Sequence, residues 1–187
     1  MRKIGLCVTG SFCTFASLLK VVDRLIEADY DVTPIFSYNV STLDTRFFKQ
    51  SDFEDIIVQK TGKYPVKNIV EAEALTKSGI ELMLVAPCTG NTLAKIAHGI
   101  TDTPVTMAVK ATLRTNKPVV LSISSNDALG ANATNIGTLL NTKNIYLVPF
   151  GQDAPDKKPH SLIADTSLVL PTVEKALQGV QIQPIIL

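Results

Sequence analysis

Short apolar runs alternate with segments of helical periodicity along this chain, and the alternation constrains its fold more than any other feature. The first run covers residues 4–8, and residues 12–28 follow it with apolar side chains three and four positions apart. Further short apolar runs predict strands at 31–36, 82–86, 119–123 and 145–148. Strands that alternate with helices indicate a three-layer α/β fold, Rossmann-like or flavodoxin-like, in which helices cover both faces of an open parallel sheet.

The segments between these strands predict further helices at 51–60, 70–77, 93–97, 105–113, 132–140 and 168–177. Asn68 is suited to cap the helix at 70–77, and we expect Pro87 to end the third strand. Residues 151–160 are polar and contain two prolines, which predicts a loop. We expect residues 1–187 to form a single domain.

The charge balance excludes several classes of function. The chain has 18 basic and 17 acidic residues and a formal net charge of +1. This balance gives no electrostatic reason to expect a nucleic acid or an anionic membrane surface as a partner. It also leaves little self-repulsion between copies, so we expect a homo-oligomer.

The three cysteines Cys7, Cys13 and Cys88 are odd in number and lack CxxC spacing, so we expect neither a disulfide framework nor a metal site. We expect Cys7 to lie in the core and Cys13 to serve only in packing. Cys88 fits a ligand-lining role and an inert role equally well. The apolar run at the N-terminus is too short for a signal peptide, and no apolar stretch reaches about 18 residues. We therefore expect a cytoplasmic protein.

Small, hydroxylated and glycine residues follow three of the predicted strands, at 9–11, 37 and 87–92. In an open parallel sheet, ligands bind outside the carboxyl ends of the strands. Helix N-termini offer free N–H groups there, and serine and threonine hydroxyls add neutral donors. The pattern predicts a phosphate-binding site without lysine. It matches neither GxGxxG nor a Walker loop, which disfavours a standard dinucleotide site.

The segment 84–102, LVAPCTGNTLAKIAHGITD, resembles the PASANT-type motif of the homo-oligomeric flavin-containing cysteine decarboxylases. It is equally similar to the corresponding loop of the flavin prenyltransferases. The matching positions are Pro87, Asn91, Thr92, Leu93, Ala94, Lys95, Ala97, Gly99 and Asp102. The resemblance extends from the first strand to about Leu121.

This resemblance implies that FMN binds at an interface between subunits, in a trimer or a multiple of trimers. Gly10, Ser11 and Phe12 would approach the phosphate or the ribityl chain, and Ser37 would hydrogen-bond the phosphate. The PASANT-like loop would border the phosphate and the flavin. The complete predicted cofactor-binding set is Gly10, Ser11, Phe12, Ser37, Pro87, Thr89, Gly90, Asn91, Thr92, Ser124 and Ser125. No catalytic residue is predicted.

The chain departs from both enzyme groups at positions that matter for their chemistry. The decarboxylases carry a histidine between the second strand and the PASANT-like loop, but the histidines here are His98 and His160. Residues 124–129 replace the decarboxylases' Pro-x-Met-Asn-x-x-Met-Trp stretch and the prenyltransferases' Arg-Glu-x-Pro stretch. A stand-alone FMN-dependent decarboxylase or a flavin prenyltransferase-like enzyme therefore remains only an alternative.

Residues 149–165, with Pro-Phe-Gly-Gln-Asp and Lys-Pro-x-Ser-Leu-x-Ala-Asp, resemble the B subunits of dipicolinate synthases, as do residues 177–184. In that family a nicotinamide-dependent A subunit acts with the B subunit. Together they oxidise a dihydrodipicolinate-type precursor to dipicolinate in the mother cell of a sporulating bacterium. The resemblance implies FMN on this chain, NAD(P) on the A subunit and a small dicarboxylate substrate. A non-catalytic scaffold subunit is a further alternative.

Two groups of polar residues keep alternative interpretations. Lys157, Lys158 and His160 fit either a clamp for a dicarboxylate or a solvated run of charge. Asn126 and Asp127 fit either the orientation of a substrate or the capping of the following helix.

Overall fold

The computed structural model describes all 187 residues and has a seven-stranded sheet at its centre. Five strands are parallel: β1 (Arg2–Val8), β2 (Tyr30–Phe36), β3 (Leu82–Cys88), β4 (Val119–Ser125) and β5 (Ile145–Leu147). The short strands β6 (Phe150–Gln152) and β7 (Leu162–Ala164) form an antiparallel hairpin. The order is β2-β1-β3-β4, after which β5 pairs with the first half of β4 and β7 with its last two residues.

Helices cover both faces of the sheet, as the sequence predicts. They are α1 (Phe15–Glu27), α2 (Tyr38–Thr42), α3 (Gln50–Thr61), α4 (Ile69–Ala74), α5 (Gly90–Ala97), α6 (Pro104–Arg114), α7 (Ala133–Leu140) and α8 (Val169–Ala176). On one face α1 packs between α3 and α8, and on the other α6 packs against α4 and α5, with α7 beside α5. The three-layer flavodoxin-like architecture is thus confirmed.

The core lies between the sheet and these helices. Strand β3 is buried over its whole length, which matches its uninterrupted apolar run. On the α1 face, the ring of Phe53 stacks on that of Phe15 with centroids 4.2 Å apart. The ring of Phe36 stacks on that of Phe53 with centroids 5.6 Å apart. This aromatic cluster holds α1 and α3 beside the carboxyl end of β2.

Several predicted boundaries are wrong for identifiable reasons. Strand β3 continues through Pro87 to Cys88, with a cis peptide bond at Ala86–Pro87 and a register shift against β4. The loop predicted at 151–160 begins two residues later in the structure, because Gly151 and Gln152 belong to β6 and pair with β7. Strands β6 and β7 are short and form through their pairing with each other and with β4, so the antiparallel hairpin was not predicted. Helix α2 was missed because its five residues are too few to show helical periodicity.

The predicted helix at 12–28 is confirmed from Phe15 onwards, and its first turn, Phe12–Thr14, is a 3₁₀ turn. None of the helices combines the length and the apolar character that crossing a membrane requires.

We expect Leu84→Ala to lower the free energy of unfolding by about 2–5 kcal/mol, because a fully buried side chain in the central strand leaves a cavity. The matched control is Leu140→Ala in α7, where the side chain is 45% exposed, and we expect it to cost less than about 0.5 kcal/mol. Urea unfolding of both variants measures the difference. Equal losses at the two positions would contradict this description of the core.

Candidate functional site

A cleft of about 490 Å³ opens at the carboxyl ends of β1, β3 and β4. The segments that follow these strands form its floor, and the β6–β7 hairpin forms one wall. Eight residues of the predicted cofactor-binding set line it: Gly10, Ser11, Phe12, Thr89, Gly90, Asn91, Ser124 and Ser125. The topology therefore brings together residues that are more than a hundred positions apart in the sequence.

Hydroxyl groups tie the three strand ends to one another. The buried Thr9 donates from Oγ1 to the carbonyl oxygen of Pro87 at 2.7 Å and accepts the N–H of Thr89 at 3.1 Å. The hydroxyls of Ser11 and Ser124 lie 2.7 Å apart and share a hydrogen bond. These contacts fix the positions of the loops that face the cleft.

Helix α5 begins at the edge of the cleft. Thr89 caps it, because its Oγ1 accepts the N–H of Thr92 at 3.4 Å and also donates to the hydroxyl of Thr92 at 3.1 Å. The first N–H groups of a helix have no partner within the helix, and the dipole makes this end positive. Those of Gly90 and Asn91, both in the cleft lining, are therefore available to an anion.

Gly90 is required by the close packing behind the start of α5. A Cβ atom at this position would lie 2.6 Å from Oδ1 of Asp127 and 2.7 Å from Nδ2 of Asn132, and it would also collide with Oγ of Ser125. Any larger residue would have to displace these three side chains. The glycine therefore lets the helix approach the segment that follows β4.

The three side chains behind Gly90 form a polar network. Nδ2 of Asn132 donates to both carboxylate oxygens of Asp127, at 3.0 and 2.9 Å, and Ser125 donates to Oδ1. Nδ2 of Asn135 in turn donates to Oδ1 of Asn132 at 2.9 Å. The hydrogen bond from Ser125, helped by that from Asn132, lowers the pKa of Asp127.

Four charged residues line the cleft, and two of them form an ion pair within the loop that joins β6 and β7. Nζ of Lys158 lies 3.0 Å from Oδ2 of Asp153, and this hydrogen bond raises the pKa of Lys158. The other carboxylate oxygen of Asp153, Oδ1, is buried and has no hydrogen-bond partner. The remaining two charged residues are Asp127 and Arg46.

The structure separates the remaining predicted residues from the cleft. Ser37 caps α2 by accepting the N–H of Val40 at 3.4 Å, and Thr92 is buried against Thr89. Pro87 lines an adjacent cavity of about 250 Å³, which shares Ser124 with the cleft. None of these three lies in the cleft lining, although each supports a segment next to it.

Of the residues with alternative interpretations, Lys158, Asn126 and Asp127 line the cleft, whereas Lys157 and His160 do not. The structure therefore does not form a clamp in the cleft from Lys157, Lys158 and His160 together. The side chain of Asp127 does not cap α7, which begins at Ala133.

The cysteines differ from one another in exposure. Cys7 and Cys88 are fully buried, and burial raises the pKa of Cys88 to about 12, so this thiol stays protonated at neutral pH. Cys88 therefore neither lines the cleft nor provides a nucleophile. Cys13 is exposed and lines the cleft, where only simple packing was expected.

Sequence reasoning missed Arg46, Phe47 and Asp153 in the cleft lining. Arg46 and Phe47 lie in the segment between α2 and α3, outside the strand ends that the sequence marks as ligand sites. The one available signal was an arginine beside two phenylalanines, Phe47 and Phe48, in a polar segment.

Comparison with known proteins identifies the family and the fold of the chain. The family described as Flavoprotein matches residues 1–165. The B subunit of dipicolinate synthase from Bacillus subtilis (strain 168) is 45% identical over 186 residues, which cover 99% of this chain and 93% of that protein. The crystal structure of the dipicolinate synthase B subunit from Bacillus halodurans C has a TM-score of 0.91 at 45% identity, covering 100% of this chain and 96% of that one. The FMN-dependent cysteine decarboxylase SpaF shares the fold, with a TM-score of 0.69 at 18% identity over 95% of each chain.

We expect Gly90→Ala to lower the free energy of unfolding by about 1–3 kcal/mol, because the added methyl group displaces Ser125, Asp127 and Asn132. Gly137→Ala is the matched control. Gly137 lies inside α7, and a Cβ atom added there would meet nothing within 4 Å, so alanine should raise stability by about 0.5–1 kcal/mol. Urea unfolding would contradict the packing argument if both variants shifted in the same direction.

We expect Ser125→Ala to raise the pKa of Asp127 towards its ordinary value of 3.8, because the variant removes the strongest hydrogen bond to the carboxylate. A carboxyl pKa that is lower in the folded state stabilises the fold above the unfolded pKa and loses that contribution as the pH falls through the folded pKa. The variant should therefore lose less stability than the parent protein below about pH 4.

Carbon-13 NMR of the aspartate carboxyl groups measures this pKa, and Asp127→Asn assigns the resonance. If Asp127 titrates at the same pH in the parent protein and in Ser125→Ala, the hydrogen bond does not control its ionisation.

Proposed function

The chain belongs to the Flavoprotein family, and on that premise we propose that it is the flavin-binding B subunit of a dipicolinate synthase. In this proposal residues 1–187 act as a single flavoprotein-like domain that binds FMN. A nicotinamide-dependent A subunit, which carries NAD(P), completes the enzyme. The pair oxidises a dihydrodipicolinate-type precursor to dipicolinate.

The observation that carries the proposal is the cleft at the carboxyl ends of β1, β3 and β4. Its hydroxyl groups and helix N–H groups come from segments that Thr9 and Ser11 tie together. The 45% identity to a dipicolinate synthase B subunit over nearly the whole chain supports the choice of this enzyme within the family.

The residues present fit a flavin mononucleotide. A cleft of about 490 Å³ lies within the range of about 300–1,000 Å³ that is typical of small-molecule sites. Ser11 and the first N–H groups of α5, the helix that Thr89 caps, would hold the phosphate with neutral donors. The rings of Phe12 and Phe47, which also line the cleft, offer apolar surface to the flavin ring. Bound FMN would supply hydride-transfer chemistry at this site.

The proposed reaction removes a hydride and a proton from the precursor and leaves an aromatic pyridine ring. The hydride acceptor would be supplied by the nicotinamide of the A subunit or by FMN held in the cleft, and the proton would be released to solvent. Because aromatisation is favourable, the task of this chain is to orient the precursor beside the acceptor and to exclude water.

The proposal places the protein in the cytoplasm of the mother cell of a sporulating bacterium. It also includes assembly into a trimer or a multiple of trimers, in which a neighbouring copy would complete the site.

A stand-alone decarboxylase or prenyltransferase is the second candidate function, supported by the shared fold of enzymes such as SpaF. The sequence between β2 and α5 contains no histidine, and the segment after β4 has neither the methionines and tryptophan nor the arginine of those enzymes. A non-catalytic scaffold is the third candidate. It predicts that substitutions in the cleft leave the activity of the assembled enzyme unchanged.

Reconstitution with and without the A subunit distinguishes the three candidates. The mixture should form dipicolinate while neither protein alone does, and FMN added to this chain should show a shifted visible spectrum. We expect Asn91→Ala to reduce the reconstituted activity by about 10-fold or more, because Asn91 lines the cleft and its amide would lie beside the bound phosphate in this proposal. Asn141→Ala, at the exposed C-terminal end of α7, is the matched control and should retain full activity.

Activity without the A subunit would favour the stand-alone enzyme. Unchanged activity in a folded Asn91→Ala variant, and in Thr89→Ala and Thr92→Ala, would favour the scaffold. Absence of any spectral change on addition of FMN would remove the flavin from the proposal.

A further inference from the structure

Two cationic side chains line the cleft, Arg46 and Lys158, and they differ in what they contact. Lys158 forms an ion pair with Asp153, so its charge is already balanced. Arg46 takes part in none of the ion pairs of the structure. The guanidinium of Arg46 is therefore the one cation of the cleft that no carboxylate neutralises.

The second acidic residue of the cleft does not compete for Arg46. Both carboxylate oxygens of Asp127 accept hydrogen bonds, from Ser125 and from Asn132. Asp127 is thus held in the network behind Gly90. An anion that enters the cleft meets one free positive charge, and that charge belongs to Arg46.

Residues 44–50, which we call the 44–50 segment, hold Arg46 at the tip of a turn. Oγ1 of Thr45 accepts the N–H groups of Phe47 and Phe48 at 3.2 and 3.3 Å, and the N–H of Thr45 donates to the carbonyl oxygen of Phe48 at 3.0 Å. Oδ1 of Asp44 accepts the N–H of Gln50 at 2.9 Å, where α3 begins. The backbone around Arg46 is thereby closed by hydrogen bonds at both ends.

The base of the 44–50 segment is anchored to the core. The ring of Phe48 lies 5.7 Å from that of Phe53 and 6.0 Å from that of Phe15, so it extends the aromatic cluster beneath α1. Phe47, the neighbouring residue, is 45% exposed and lines the cleft instead. Of two adjacent phenylalanines, one fixes the segment and the other faces the site.

The guanidinium of Arg46 is stacked over the exposed ring. Its central carbon lies 4.8 Å from the centroid of Phe47. A stacked guanidinium keeps its N–H groups free at the edge of the plane, where they match the two oxygens of a carboxylate or a phosphate. Because stacking already restricts the Arg46 side chain, the side chain loses less rotamer entropy when it binds a ligand.

We propose that Arg46 is the oxyanion-binding residue of the cleft, delivered by the 44–50 segment. Its ligand is a carboxylate of the substrate or the phosphate of the flavin nucleotide, which share this chemistry; the identity of these two ligands rests on the proposed function. The segment thus supplies a guanidinium, whereas Ser124 and Ser125 at the end of β4 offer only hydroxyls.

Equilibrium titrations of Arg46→Gln and Arg46→Lys test the proposal with four probes: FMN, riboflavin, dipicolinate and inorganic phosphate. Riboflavin lacks the phosphate of FMN, and dipicolinate presents carboxylates without a flavin. We expect Arg46→Gln to weaken binding of FMN or of dipicolinate by about 10-fold or more and to leave riboflavin unchanged. Arg46→Lys should recover only part of the loss, because lysine lacks the planar pair of donors.

Arg24→Gln is the matched control, since Arg24 is an exposed arginine in the last turn of α1 and lies outside the cleft. It should bind every probe as the parent protein does. Urea unfolding midpoints establish that each variant is folded.

The two sources of the oxyanion give different results. A loss confined to FMN assigns Arg46 to the phosphate, and a loss confined to dipicolinate assigns it to the substrate carboxylate. Arg46→Gln with parental affinity for every probe that the parent binds would overturn the inference while the proposed function stands.

If the parent protein bound none of FMN, riboflavin and dipicolinate, the proposed function would fail, and the phosphate titration would then decide on Arg46 alone. Phosphate binding that disappears in Arg46→Gln supports an oxyanion site, and absence of phosphate binding to the parent protein removes it.

Discussion

The geometry of the cleft depends on the buried side chain of Thr9. Its single hydroxyl donates to the carbonyl of Pro87 and accepts the N–H of Thr89, so it locks the loop after β1 against the start of α5. Adjacent parallel strands bring these two loops near each other, but the hydroxyl sets their separation. The Ser11–Ser124 hydrogen bond extends the same arrangement to β4. Three segments with neutral donors thereby present one continuous surface to a ligand.

The second constraint is the distribution of charge around that surface. The carboxylate of Asp127 is held in the polar network behind α5, which can pack there only because residue 90 is glycine. The charge of Lys158 is balanced by Asp153. In the proposed site, the neutral donors and the free guanidinium of Arg46 would both bind the ligand. Hydroxyl and N–H groups suit a phosphate that sits against the strand ends, and the guanidinium suits an oxyanion of the flavin nucleotide or of the substrate.

The sequence predicted the elements whose residues carry a strong local pattern. Apolar runs such as 82–86 located the parallel strands, and the small residues after β1 and at the end of β3, together with the resemblance to flavin-containing enzymes, located eight residues of the cleft. The antiparallel hairpin was missed because β6 and β7 are each three residues long and exist through their pairing with each other and with β4. Arg46 was missed because tertiary packing of Phe48, rather than any local pattern, brings the 44–50 segment to the cleft. Ser37 and Thr92 were predicted to touch the ligand, but both serve as helix-cap partners outside the lining.

The central claim is that the cleft at the ends of β1, β3 and β4 binds FMN through its phosphate. A crystal structure of the protein grown with FMN tests it most directly. We predict the phosphate within hydrogen-bond distance of Ser11 and the first N–H groups of α5, with the flavin ring along the cleft. Flavin density at any other place on the protein would contradict it.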